Sequence, residues 1–141
     1  MQITNELSRW QLVPLLFAQD AVAASQTAAV LYTTDANNST CLNVYYTMPF
    51  AGEIVGVSAN LDTAGTAGTL TINPNLSGSA VTDPALAITT LAYGKDTCPR
   101  GKNVFAANAQ VGCKITTSAD WNGTTSDLQV IVWVLLKITG I

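Results

Sequence analysis

From Leu128 to Ile138 the chain is apolar on both faces of any strand it can form. Extended backbone sends successive side chains to opposite sides. Leu128, Val130, Val132, Val134, Leu136 and Ile138 therefore share one face, and Ile131, Trp133 and Leu135 share the other. In an antiparallel sheet one face ordinarily meets water, so a strand of this kind is either held between layers or covered by a neighbouring chain. Two readings stay open for it: a subunit seam made by Ile131, Trp133 and Leu135, or burial beneath residues 1–27. The apolar run from Val130 to Leu136 is strand-length and far below the ~20 residues of a membrane-spanning helix.

The rest of the chain gives that strand partners. From residue 28 onward short alternating segments are separated by turn residues, the pattern of an all-β sandwich or barrel. The expected strands are Ala28–Thr34, Leu42–Met48, Glu53–Asp62, Thr69–Asn73, Ser77–Val81, Leu86–Leu91, Asn103–Ala107, Val111–Thr117 and Asp127–Ile138. Within Glu53–Asp62, Val55, Val57, Ala59 and Leu61 fall on one face and are expected inward. Eight or nine strands at this spacing suit a double-layered antiparallel sandwich. An immunoglobulin-like fold lacks its Cys-Trp-Cys order, because Trp121 and Trp133 follow all three cysteines. A jelly roll is therefore the expected fold, with residues 28–141 as one domain.

Residues 1–27 read as an N-terminal arm. Leu7, Trp10, Leu12, Leu15, Leu16 and Phe17 make the segment too apolar to remain in solvent, and Pro14 opposes one continuous helix. Glu6, Pro14 and the Gln19-Asp20 pair spoil the pattern of a secretory signal, so the segment is expected to be structural. The expectation is an extended arm that docks on a sheet or on a neighbour.

Composition bears on chemistry. Charged residues make up 11% of the chain against 48% hydrophobic, and Thr and Ala occur 19 times each, so much of the surface is neutral. Histidine is absent, which removes the commonest general base and metal ligand. The net charge of −3 opposes nucleic-acid binding, which needs a basic face. Cys41, Cys98 and Cys113 fit no metal-ligand spacing and read as buried, unpaired thiols, with a Cys98–Cys113 pair left open should the 95–102 loop fold beside the 109–117 strand. The Asp residues stand beside turn residues and are expected to cap backbone. Gly94–Lys102 holds Lys95, Arg100 and Lys102, but Thr89 stands where a phosphate loop needs glycine. That loop is expected to be a solvated turn, with Arg100 and Lys102 as an alternative ionic anchor for an acidic partner. Trp121 in Ala119–Gly123 is either an exposed binding anchor or a lid on the sandwich end; with Tyr45 or Tyr46 it would make a glycan platform. No catalytic, metal or cofactor residue is expected, and the chain reads as a non-enzyme.

One stretch is similar to a known group of proteins. Tyr46-Thr47-Met48-Pro49-Phe50-Ala51-Gly52-Glu53-Ile54-Val55-Gly56-Val57-Ser58-Ala59 resembles the opening segment of small β-sandwich structural proteins of tailed bacteriophages. Thr66–Pro74 resembles their next strand, and Val111–Thr117 with Trp121 and Asp127–Val130 follows their layout. The resemblance spans roughly residues 44–138 and leaves the arm outside. It implies a virion protein, made in the host cytoplasm, most like a head decoration (cement) protein on the capsid surface. Such proteins bind the major capsid protein or another virion protein of an assembled shell, often as trimers, with no cofactor, nucleic acid or membrane. On that reading the arm residues dock on a neighbour or the shell, and Ile131, Trp133 and Leu135 seal subunits together. A tail or fibre component, or a module recognising cell-surface glycan, is the alternative.

Overall fold

The final strand, β11 (Leu128–Ile138), lies in the interior of a sheet, as its two apolar faces require. The structure, a computed structural model, describes residues 9–33 and 44–139. The other strands are β1 (Arg9–Gln19), β2 (Ala29–Val30), β3 (Tyr45–Thr47), β4 (Gly52–Leu61), β5 (Leu70–Leu76), β6 (Ser79–Ala80), β7 (Leu86–Ile88), β8 (Tyr93–Thr97), β9 (Val104–Phe105) and β10 (Gln110–Thr117). No helix occurs among the described residues. One sheet runs β1-β11-β4-β8 with β9 also on β4; the other runs β2-β10-β5-β6 with β3 on β10 and β7 on β5.

The pairings are nested. β1 pairs β11, β2 pairs β10, β4 pairs β8 and β5 pairs β7, all antiparallel. A long hairpin wrapped around itself so that its paired arms alternate between two layers gives this order, and it is the jelly roll that the sequence suggested. Between the layers, Leu15, Phe17, Val57, Val130, Val132 and Val134 of one sheet meet Leu70, Ile72, Val111 and Ile115 of the other.

Two expectations change here. The arm is a strand of the sandwich: β1 runs along β11 through eleven register pairs, from Arg9↔Ile138 to Gln19↔Leu128. Alternation then splits the six arm residues. Leu15 and Phe17 point inward, 6% and 1% exposed, while Trp10, Leu12 and Leu16 stay 44–52% exposed on the outer face. Leu7 lies outside the described residues. Because β1 sits beside β11 and not over it, it leaves β11's outer face uncovered.

The second change is in β4. Its register slips between Trp133 and Val134, so Trp133 faces Gly56 and Val134 faces Ile54, with Val55 bulged out between them. A bulge inserts one residue and shifts the alternation. Ile54 is therefore buried in the core with Val57, Ala59 and Leu61, while Val55 is only half-buried. Regular alternation would have sent Glu53 into the core with Val55. The bulge places Glu53 opposite Leu135, on the outer face.

If β1 is part of the core, Phe17→Ala should cost about 3–5 kcal/mol in urea unfolding. Leu16→Ala, one residue away on the outer face, should cost less than about 1 kcal/mol. Equal small losses at both positions would contradict this packing.

Candidate interaction surface

The outer face of the β1–β11 pair carries a continuous apolar stripe. Register sets Leu12 opposite Leu135, Pro14 opposite Trp133 and Leu16 opposite Ile131, with Trp10 opposite Lys137 at the end. These residues share the face turned away from the core. Ile131, Trp133 and Leu135 are half-buried, and Trp10, Leu12, Pro14 and Leu16 are exposed. The Trp133 indole N–H donates to Ser58 Oγ at 3.1 Å, which ties the ring to β4. The structure thus brings together three of the expected arm residues and all three expected seam residues.

The edge of β1 is less available than its face. Pro14 has no N–H to offer a new strand. Tyr46 Oη donates to the Leu16 carbonyl at 3.0 Å. Ala18 and Tyr32 exchange backbone hydrogen bonds of 2.8 and 3.0 Å. Sheet edges are commonly blunted in such ways against stray pairing, so any contact made by this side uses side chains.

At one end of the stripe lies the segment expected to be a solvated turn. Half of it is strand β8, paired with β4. The rest folds back onto β4: the Cys98 N–H donates to the Val55 carbonyl, and the Ile54 N–H donates to the Asn103 carbonyl, both at 3.1 Å. Glu53, 3% exposed, accepts from Arg100 Nε at 2.5 Å and from the Gly101 N–H at 2.6 Å. Burial by itself would raise the Glu53 carboxyl, but the Arg100 and Gly101 hydrogen bonds and the Arg100 charge outweigh it and hold the group below its ordinary value. The Arg100 guanidinium also lies 4.2 Å from the centre of the Trp10 ring, and Lys137 Nζ is 6.0 Å from it. Arg100 therefore reaches from Glu53 on β4 to Trp10 on β1. Lys102 pairs with Asp83 instead of standing free. The hydrogen bonds that turn Glu53 into an anchor were invisible in sequence because they depend on the Val55 bulge.

Trp121 takes the inward alternative. It is 2% exposed, and its indole N–H donates to the Val22 carbonyl at 3.1 Å, so it closes one end of the sandwich. Gly68 makes room for it: at φ +80° a Cβ there would stand 2.4 Å from Trp121 Cα. As a surface anchor Trp121 is thereby corrected. Of the tyrosine pair, Tyr45 is half exposed, while Tyr46 packs its ring edge-on to Phe17 with centroids 5.5 Å apart. The aromatic platform expected for a glycan does not assemble from these residues.

The carboxylates bind backbone, though across segments more than within their own turns. Asp62 accepts from the Asp127 N–H at 2.9 Å, Asp127 from Ala21 at 3.0 Å, and Asp96 from Ala85 at 3.0 Å. Cys98 and Cys113 are unpaired, and burial pushes both thiols upward, Cys113 far above the usual range. Cys41 lies outside the described residues. Among the described residues no group of three His, Cys, Asp or Glu side chains is placed to hold a metal ion.

The chain is similar in structure to a solved chain of Desmodium yellow mottle tymovirus, with a TM-score of 0.39 and 10% identity, over 100% of this chain and 87% of that one. A likeness that faint bears on neither fold nor function, and the jelly roll stands on its own strand pairing. No protein-family model and no curated protein matches the chain.

Glu53→Gln keeps the shape of the side chain and removes its charge. A group whose folded pKa lies below its unfolded value stabilises fully above the ordinary value of 4.5, and the contribution fades as pH falls through the folded pKa. The wild type should exceed the variant by about 1–3 kcal/mol at pH 7. Denaturant titrations should show that gap narrowing toward pH 3; a gap independent of pH would exclude the ion pair as its source.

Proposed function

We propose that the protein is a non-enzymatic structural component of a virion, a capsid decoration protein that binds the assembled head and stiffens the shell. The observation that carries this reading is the apolar stripe of Trp10, Leu12, Pro14 and Leu16 beside Ile131, Trp133 and Leu135, left open by the rest of the described chain. A solvent-facing sheet does not need such a face for its own folding. Contiguous exposed apolar surface marks a site of association, and stable assemblies use more apolar contacts than transient ones.

The rigidity suits the role. Disulfides are absent among the described cysteines, yet both sheets are clamped by a shared core and by end contacts such as Trp121 with Val22. A shell clamp has to transmit load without opening, and a nested antiparallel sandwich does so through many parallel hydrogen bonds. The resemblance of residues 44–138 to small structural proteins of tailed phages supplies the virion context. On this reading the stripe faces the major capsid protein or a neighbouring copy at the outer surface of the head, with a trimer as the working assembly.

The test is cosedimentation with assembled phage heads. Deleting residues 1–17 would not isolate the stripe, because it removes most of β1 and two core side chains. Leu12→Asp with Leu16→Asp instead charges the stripe and leaves the core intact. Interface anchors of this kind contribute more than ~1 kcal/mol each, so the double variant should bind heads at least about tenfold more weakly. Circular dichroism should be unchanged. Undiminished binding by a folded double variant would remove the stripe from the shell contact.

A further inference from the structure

Charge is distributed unequally between the two ends of the sandwich. At the end where β1 and β4 finish and β11 begins, the loops over residues 20–28, 62–69, 89–92 and 118–127 contain Asp20, Asp62, Asp120 and Asp127 and no Lys or Arg. All four aspartates are exposed. At the other end stand Arg9, Arg100, Lys102 and Lys137, and among the described residues the carboxylates near them, Glu53 and Asp83, are already in ion pairs. Lys95, Asp96 and Lys114 lie between the ends. Among the described residues the sandwich thus has one end that is mainly acidic and one that is mainly cationic.

Each end also has an exposed apolar centre. At the acidic end Leu91 and Tyr93 are 57% and 64% exposed, and they line a shallow groove that reaches Asn60. Asn60 also borders the hollow formed with Asp20, Asp62 and Asp127, so groove and acidic rim are continuous. Lys95 is the cation flanking the groove. At the cationic end Trp10 and Val104 are 44% and 63% exposed, and Trp10 lies among Arg100 and Lys137.

We infer that the two ends bind each other between copies of this chain: the Trp10–Arg100–Lys137 end of one molecule seats in the Leu91–Tyr93 groove and against the aspartate rim of the next. Apolar centre meets apolar centre, and each charged rim meets its opposite. Two copies joined end to end through a twofold axis would set like ends together, which electrostatics opposes. The contact is therefore heterologous, and a heterologous contact generates a ring when its rotation closes. The inference concerns contact between copies and does not depend on which shell the protein binds.

Two variants, each disabled at one end, test it in the absence of heads. Asp20→Asn with Asp62→Asn and Asp127→Asn removes three charges and keeps the oxygens that accept the Asp127 and Ala21 N–H groups. Arg9→Glu with Lys137→Glu reverses two cations and leaves the Arg100–Glu53 pair intact. By light scattering at low salt the wild type should be a head-to-tail oligomer of three or more 14.7 kDa chains. Each variant alone should be monomeric. Their equimolar mixture should form a 1:1 dimer, because one intact end of each kind remains. The wild-type oligomer should weaken by on the order of tenfold as salt rises from 0.05 to 1 M, since exposed charges are screened. A monomeric wild type, a symmetric dimer, a variant that still assembles alone or a mixture that stays monomeric would each overturn the inference. Melting curves of both variants check that they are folded, and head cosedimentation read separately distinguishes failure of the shell reading from failure of this one.

Discussion

The pairing of β1 with β11 is the contact on which the remainder depends. It converts a two-faced apolar strand, otherwise insoluble at the edge of a sheet, into an interior strand with β4 on its other side. The same pairing brings Leu15 and Phe17 over the core and closes the sheet with residues from near the N-terminus. It also creates the surface feature that defines the molecule. Every residue of β1 that alternates outward lands beside an outward residue of β11, so sealing one face necessarily builds an apolar stripe on the other.

A single irregularity sets the chemistry at the end of that stripe. The Val55 bulge rotates Glu53 out of the core, where an unpaired carboxylate would be prohibitively desolvated, and onto the outer face. There the 98–103 segment folds over it, giving it Arg100 and the Gly101 N–H. Arg100 in turn stacks on Trp10, so the bulge in β4 fixes a side chain on β1 although β11 stands between them. A low-charge protein has few ion pairs to place, and this one uses the most buried carboxylate among the described residues to hold a loop against a sheet.

Much of this was legible in the chain. The jelly roll followed from strand spacing and from the absence of an immunoglobulin cysteine pattern, and Val57, Ala59 and Leu61 were correctly read as inward. Other features were not. β8 was hidden because Tyr93–Thr97 mixes Gly, Lys and Asp, which are poor strand residues, and pairs only through β4's demand for a neighbour. The phase of β4 was misread because Ile54 and Val55 are both apolar, so either could be taken as the inward residue. Trp121 was undecidable until Val22 and Gly68 were seen to receive it.

By itself the sequence determined the class of fold and the kind of surface. Periodicity, turn residues and the lack of histidine are local or compositional properties, and they suffice to specify an antiparallel sandwich with little charge and much exposed Thr and Ala. Only the tertiary structure decided which apolar residues of the first strand are core and which are surface. That depends on register against a strand more than a hundred residues away, and a shift of one residue would exchange the two sets. The polarity of the molecule from end to end was settled at the same level. Asp20, Asp62 and Asp127 are far apart in the chain and meet because antiparallel strands return their loops to the same end.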